Sequence, residues 1–196
     1  MLGYILQVRT GSTRLPNKVL LPFAKGDHIL GQVVTKLRNF FPDVPMVIAT
    51  TTNEADSPIV EYCEENGLTC FRGSENDVLA RTLDAANAHG IEDIIRVCSD
   101  NPFLYPKFIG ALINDVSHAD YVSYQVDNLP TIRTHYGLFV ERVKRSALEK
   151  AIEMNPDAFY REHVTNFIYG NPNDFSIQWV DIEDHLNKLE DLRLTI

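Results

Sequence analysis

Short apolar runs alternate with amphipathic segments along most of this chain. Residues 3–8, which include Ile5-Leu6-Gln7-Val8, form the first apolar run and predict a buried strand. From His28 to Phe40, the apolar Ile29, Leu30, Val33, Val34 and Leu37 recur at three- and four-residue steps. That spacing predicts a helix, which Pro42 stops. Residues 44–50 are a second apolar, partly β-branched run and predict a strand. Asp56 or Ser57 is placed to cap a helix with Pro58 in its first turn, carrying Ile59, Val60 and Cys63 toward Gly67. A short strand at Thr69 to Phe71 follows, then a helix opened by Ser74 to Asp77 that ends near Gly90. Ile94 to Cys98 is the third clear buried strand, 106–117 the next helix, and Tyr121 to Tyr124 an alternating strand.

The order βαβαβαβαβ, with connections of several residues, predicts an α/β fold: an open, mostly parallel sheet with helices on both faces. Ligands of such sheets sit outside the carboxyl ends of the strands. Three polar hinges, at 9–18, 72–77 and 99–102, each follow a strand, so they are expected to gather along one edge. The last third changes character. Residues 128–136 show no clear period, Leu138 to Val140 is a candidate strand, and Ser146 to Met154 a helix with Ala147, Leu148, Ala151 and Ile152 on one face. Tyr160 to Tyr169 reads as another helix and Phe175 to Val180 as a strand. No linker or internal repeat divides the chain. Residues 1–196 are therefore read as one domain, in which 126–181 is an elaboration that crosses the site and holds a second substrate.

Charge narrows the picture. With 27 acidic against 18 basic residues and a formal charge of −9, non-specific nucleic-acid binding is not expected. No apolar run approaches the ~20 residues of a membrane span, and the start of the chain lacks the pattern of a signal peptide. Cys63, Cys70 and Cys98 show no metal spacing and fit reduced thiols in a cytoplasmic protein; the six histidines show no zinc spacing either. Against this acidic background, Arg9, Arg14 and Lys18 put three cations within ten residues, around Gly11, Ser12 and Thr13. Backbone N–H groups, hydroxyls and cations on such a loop can hold phosphate; a solvated loop with loose ion pairs is the alternative. The loop is neither a Walker A motif nor a dinucleotide fingerprint. Asp100, directly after a buried strand, is placed either to hold a metal together with phosphate oxygens or to cap the turn before Asn101-Pro102. Asp77 and Arg81, four apart, read as a helix-surface pair. Lys36, Arg38, Arg142, Lys144 and Arg145 read as solvated faces.

Longer motifs add a resemblance. Val8-Arg9-Thr10-Gly11-Ser12-Thr13-Arg14-Leu15-Pro16-Asn17-Lys18 resembles the R-x-G-S-x-R-L-P-x-K loop of the sugar cytidylyltransferases, which include the CMP-sialate and CMP-Kdo synthetases. Within that group the chain is most similar to the spore coat polysaccharide protein F (SpsF) family. Phe71-Arg72-Gly73-Ser74-Glu75-Asn76-Asp77-Val78-Leu79-Ala80-Arg81 resembles its F-x-G-S-E-x-D-V-L-x-R segment, and Arg161-Glu162-His163-Val164-Thr165 its R-E-H-V-T segment. Cys98-Ser99-Asp100-Asn101-Pro102 is similar to x-G-D-x-P, with Ser99 where Gly is usual; Asn17 likewise stands where Gly is commoner.

The resemblance runs from residue 3 to the end. It implies a nucleotide-diphospho-sugar transferase (GT-A-like, Rossmann-like) architecture, and transfer of CMP from CTP to a sugar with release of pyrophosphate. It implies Arg9, Arg14 and Lys18 as catalytic cations on the phosphates, and Leu6, Gln7, Gly11, Ser12, Arg72, Gly73 and Ser74 as nucleotide-binding residues. Asp100 would be the ligand of Mg²⁺. Arg133, His135, Arg161 and His163 are candidates for an acidic or hydroxylated sugar. Loop anchors are the alternative for Arg133 and His135, and a buried structural histidine the alternative for His163. The implied partners are CTP, a sugar and a second copy of the chain, with neither nucleic acid nor membrane. Leu192-Arg193-Leu194-Thr195-Ile196 resembles the start of L-R-L-T-x-D, and the chain stops one residue before the Asp that supplies a second metal ligand in relatives. Asp181, Glu183 and Asp184 are candidate substitutes. Two other classes stay open. One is a glycosyltransferase consuming a nucleotide sugar, although its usual D-x-D is missing and Asp181-Ile182-Glu183 is the only similar triplet. The other is a non-catalytic nucleotide-binding domain.

Overall fold

The computed structural model describes residues 1–11, 15–24, 26–154, 157–180, 182 and 193–196. In chain order the elements are β1 (Leu2–Gln7), β2 (Pro22–Ala24), β3 (Asp27–His28), α1 (Ile29–Phe40), β4 (Met46–Thr51), α2 (Ser57–Glu65), β5 (Thr69–Gly73), α3 (Val78–Ala88) and β6 (Asp93–Cys98). They continue with α4 (Pro106–Ile113), β7 (Tyr121–Val126), β8 (Leu129–Pro130), β9 (Glu141–Lys144), α5 (Arg145–Met154), α6 (Ala158–Glu162), α7 (Asn166–Gly170) and β10 (Ile177–Val180).

The alternation within β1 decides its place. Tyr4 and Leu6 face one layer of the core and Ile5 the other, and all three are fully buried. A strand apolar on both sides belongs inside a sheet covered on both faces. β1 accordingly pairs in parallel with β4 and β6, with Leu6 beside Ile48 on one side and Val97 on the other. The sheet order among the described residues is β10-β7-β9-β6-β1-β4-β5, with β8 appended to β7, and along this path only β9 runs against the rest. Helices α1, α2 and α4 contribute to the core on one face; α3, α5 and α7 contribute to the other. This is the mostly parallel, two-faced architecture that the order of elements predicts. Among the described residues, no helix is long and apolar enough to cross a membrane.

Four local expectations fail, three of them for a tertiary reason. The candidate strand at Leu138 to Val140 lies three residues early: the ladder runs through Glu141–Lys144 instead, where Arg142 faces Ile95 on β6 and Val122 on β7. Arg142 and Lys144 are therefore not a solvated face. Arg142 is buried, 3.0 Å from an Asp93 carboxylate oxygen, and it also donates to the carbonyls of Leu112 and Asp115; Lys144 donates to the His118 carbonyl. Lys36 and Arg38 are likewise engaged, Lys36 with the Pro102 carbonyl and Arg38 with those of Asn66 and Gly67, whereas Arg145 pairs along its own helix with Glu149. The single helix expected at 160–169 is two, α6 and α7, broken at His163 to Thr165. There Val164 turns into the core and the Thr165 hydroxyl donates to Glu141 at 2.9 Å. Helix α4 stops at Ile113, since the Asp115 carboxylate takes the Ser117 N–H and hydroxyl and turns the chain.

Residues 128–136, aperiodic in sequence, begin with a tight hairpin. Asp127 and Asn128 are both left-handed, at φ +50° and +62°, the two-residue turn whose twist suits β7 and β8. At the end of the described chain, the N–H groups of Leu194 and Thr195 donate to the His135 carbonyl, and that of Ile196 to the Asp100 carbonyl. Gly137 makes this approach possible, because a Cβ there would stand 2.9 Å from the Thr195 nitrogen.

Leu37 on α1 and Leu148 on α5 are fully buried on opposite faces of the sheet. Truncating either to Ala removes transfer energy and leaves a cavity, so urea denaturation is expected to show a loss of about 2–5 kcal/mol for each. The two losses are expected to add in the double variant, since the sheet separates the sites.

Candidate active site

Strands β1, β5 and β6 end at the same edge, so the three polar hinges converge there. The first is anchored by Asp56. Its Oδ1 accepts the Thr10 N–H at 2.7 Å and the Thr10 hydroxyl at 2.6 Å, while Oδ2 accepts the N–H and hydroxyl of Thr51. Asp56 was a candidate cap for α2, but its side chain makes no cap hydrogen bond there and ties the start of the hinge to the end of β4 instead. Burial pushes its carboxyl up, yet the hydrogen bonds from Thr10 and Thr51 outweigh burial and hold it below the ordinary value. Beyond the anchor, the Asn17 N–H returns to the Thr10 carbonyl at 2.9 Å, and Asn17 itself is left-handed at φ +59°. Asn tolerates that conformation as Gly does, which suits Asn to this position. Ser12 and Arg14 lie outside the described residues, as do Asp181, Glu183 and Asp184.

Lys18 follows the turn and points at the third hinge. Its Nζ lies 3.4 Å from Asp100 Oδ2 and donates to the Ile196 carbonyl at 2.6 Å. The Asp100 carboxylate thus faces Lys18 rather than capping the next turn. Among the described residues no group of three metal-ligating side chains is present. Asp100 therefore suits a cation such as Mg²⁺ that takes most of its oxygens from phosphate and water, and does not suit a protein-only cage.

Under the cleft runs a polar chain that the sequence reading missed. Arg96 on β6 pairs through Nη1 with Glu141 on β9 and donates from Nε to Gln7 at 3.1 Å. Gln7 donates to Thr82, and Thr82 to the Val78 carbonyl. Glu141 also accepts the hydroxyls of Tyr121 and Thr165. Burial works against the Arg96 charge, but its anionic surroundings, Glu141 among them, raise its pKa above the ordinary value. A signal was available: a cation inside the apolar run Ile94-Ile95-Arg96-Val97 must find a buried partner. Cys98, on the same strand, lines the cleft as a neutral thiol, since burial pushes it up to about 11 despite the nearby Arg96 and Lys18.

The cleft itself has about 360 Å³, bounded by Gln7, Arg9, Gly11, Lys18, Arg81 and Asp100 among others. A second cavity of about 300 Å³, lined by Arg96, Ile132, Arg133, Phe159, His163 and Asn166, shares Arg96 and His163 with it. Arg9 stands 3.9 Å from Glu162 with both side chains well exposed, a pair worth little and readily given up to an anion. His163 is exposed and rests against the Phe159 ring at 4.7 Å, so it is not a buried structural histidine.

Other expected site residues sit elsewhere. Leu6 is fully buried in the core and does not line the cleft. Arg72 is held on β5 by the carbonyls of Thr51 and Asn53, and the Ser74 hydroxyl accepts the Asp77 N–H. Gly73 lies under Arg81. His135 acts through its backbone carbonyl, and Arg161 pairs with Asp77 at 3.3 Å. Asp77 and Arg81 are accordingly not a surface pair: Asp77 caps α3 and meets Arg161, while Arg81 is buried.

A family model described as cytidylyltransferase matches residues 4–194. The chain belongs to the cytidylyltransferase family. Among its relatives is an uncharacterized protein of Methanocaldococcus jannaschii, 38% identical over 195 residues, an alignment covering 98% of this chain and 76% of the relative. The spore coat polysaccharide biosynthesis protein SpsF of Bacillus subtilis is 32% identical over 198 residues, covering 98% of this chain and 80% of SpsF. A solved cytidylyltransferase from Leptospira borgpetersenii superposes with a TM-score of 0.84 at 28% identity, over all of this chain and 80% of that one. A CMP-Kdo synthetase solved with CTP shares the fold, with a TM-score of 0.67 at 11% identity over 92% of this chain and 89% of that one. The cytidylyltransferase chemistry is CTP-dependent nucleotidyl transfer, and the clustered Arg9, Lys18 and Asp100 stand at the sheet edge where such a fold takes its nucleotide.

Loss of the Asp56 anchor has a defined signature. Each hydrogen bond to its buried carboxylate contributes about 1.5–3 kcal/mol, so Asp56→Ala is expected to lower stability by about 3 kcal/mol or more at pH 7. Because the folded pKa is depressed, this contribution is complete above the ordinary carboxylate pKa and is lost as pH falls through the folded value. The stability gap between the two proteins, from urea unfolding at several pH values, is therefore expected to narrow below about pH 4.

Proposed function

We propose that this chain transfers CMP from CTP to a hydroxyl of an anionic sugar and releases pyrophosphate. The supporting observation is the pair of joined cavities: one carries Arg9, Lys18 and Asp100, the other Arg133 and His163, and Arg96 lines both. A triphosphate in the first brings its α-phosphate toward the join. A sugar held through its anionic group by Arg133 in the second presents a hydroxyl to that phosphorus. The hydroxyl oxygen forms a bond to the α-phosphorus in line and gives its proton up to water, as the bond to the bridging oxygen of the β-phosphate breaks and its electron pair leaves with pyrophosphate. Lys18 and Arg9 stabilise charge on the phosphate oxygens, and the Gly11 N–H adds a donor. The resemblance assigns Arg14 and Ser12 to the same task. A Mg²⁺ ion held by Asp100 and phosphate oxygens would supply further charge neutralisation. No covalent nucleophile is required, since positioning and electrostatics suffice. The neutral Cys98 thiol suits that arrangement.

Two variants test the two cavities separately. Lys18→Ala is expected to lower kcat/KM for pyrophosphate release by about 10²–10³, the usual cost of one preorganised charge donor. Arg133→Ala is expected to raise KM for the sugar while leaving CTP-induced thermal stabilisation unchanged. Pyrophosphate release assayed with CTP, Mg²⁺ and a panel of carboxylate-bearing and neutral sugars checks the class. Turnover confined to neutral sugars, or an Arg133→Ala variant with an unaltered sugar KM, would overturn the reading of the second cavity.

A further inference from the structure

The least balanced buried group in the cleft is Arg81. It sits in the first turns of α3, is 2% exposed, and lines the cleft beside Gln7, Arg9 and Val78. Its Nη1 donates to the carbonyls of Ser74 and Glu75. Its Nε is buried with no hydrogen-bond partner, and among the described residues nothing accepts from Nη2. Among the described residues no carboxylate forms an ion pair with it: Asp77, one turn earlier, is committed to the Ala80 N–H and to Arg161. Burial and the neighbouring Arg9 charge pull its pKa below the ordinary arginine value, outweighing the more distant carboxylates of Asp56, Asp77 and Glu75. Room for this side chain is made by Gly73, where a Cβ would stand 2.9 Å from Arg81 Cγ.

A guanidinium has five N–H donors. With Nη1 spent on the hinge carbonyls, the remaining edge is the fork formed by Nε–H and an N–H of Nη2, which suits two acceptors side by side. A buried fork without a protein partner is costly unless a ligand fills it.

We propose that Arg81 reads the base of the nucleotide, donating from its Nε/Nη2 edge to O2 and N3 of cytosine. This inference rests on the assignment of the cleft to CTP. Cytosine presents two adjacent acceptors on that edge. Uracil presents O2 but carries a hydrogen on N3, so one donor of the fork would meet another donor. The same hydrogen bonds that complete the buried guanidinium thereby reject UTP. The Arg81 Nη1 contacts to Ser74 and Glu75 hold the plane of the fork, so the hinge that resembles the family segment acts on the base through Arg81.

The test is calorimetric titration of the full chain, unsubstituted and as Arg81→Lys, with CTP, UTP and 3-deaza-CTP, in which N3 is replaced by C–H. Inorganic tripolyphosphate reports the phosphate subsite. The unsubstituted chain is expected to prefer CTP over both analogues by about tenfold to a hundredfold, the discrimination typical of a bidentate base contact. Arg81→Lys keeps a cation but loses the fork. It is expected to lose that preference while binding tripolyphosphate as before. Failure of the unsubstituted chain to bind CTP overturns the CTP assignment and this inference together. CTP binding with an unchanged preference in Arg81→Lys overturns the inference alone, as does an equal loss of affinity for all four ligands. Should Arg81→Lys fail to fold, the unsubstituted chain still decides: equal affinity for CTP and 3-deaza-CTP overturns the fork. Gly73→Ala, which crowds the Arg81 side chain without removing it, is expected to reduce the CTP preference, and an undiminished preference counts against Arg81.

Discussion

The buried ion pair between Arg96 and Glu141 is the constraint on which the site depends. It joins β6 to the antiparallel β9, and so holds the β7–β9–β10 half of the sheet against the half that carries the cationic hinge. Removing two charges from water costs several kcal/mol per ion, and only close geometry with every lone pair and proton engaged recovers it. Here Glu141 is met by Arg96, Tyr121 and Thr165, and Arg96 also reaches Gln7. The pair therefore specifies strand order and register more than it adds stability. It also leaves Arg96 facing both cavities, so the structural bond and the floor of the site are one feature.

Around this floor, an acidic chain concentrates its cations at one edge. Arg9, Lys18, Arg81, Arg96 and Arg133 all border the two cavities, although the net charge is −9. Such a concentration raises the local potential for anionic ligands and speeds their encounter. The cations differ in what occupies them. Arg96 is tied to the fold through Glu141 and Gln7. Lys18 donates to the Ile196 carbonyl at 2.6 Å and lies 3.4 Å from Asp100, while Arg9 stands 3.9 Å from Glu162, a contact long enough for phosphate oxygens to replace. Arg81 is buried and only partly engaged. This gradation separates the residues that build the cleft from those available to a ligand.

The hinges keep their shape through hydrogen bonds from buried polar side chains and from the backbone. Asp56 fixes the first through Thr10, and the left-handed Asn17 closes it; Arg81 braces the second through the Ser74 and Glu75 carbonyls; at the third the Asp100 backbone carbonyl accepts the Ile196 N–H. At the first two a loop borrows rigidity from the neighbouring strand or helix end, which lets a site made of loops hold charges in fixed positions.

The sequence by itself determined the parallel β1–β4–β6 core, its flanking helices, the convergence of three polar hinges and the family. Those features are written in local periodicity, in apolar runs buried on both faces, and in long contiguous motifs. Tertiary structure decided what charged residues do. Arg142 and Lys144 read as solvated but belong to an interior strand, because Asp93, Asp115 and His118 lie across from them in space and not in sequence. Asp56 left its helix for Thr10 and Thr51, Asp77 left Arg81 for Arg161, and the helix expected at 160–169 broke so that Thr165 could reach Glu141. Apolar burial repeats along an element and can be read from spacing, whereas a buried charge is satisfied by whichever partner the folded chain brings within about 3 Å, and spacing carries no record of that partner.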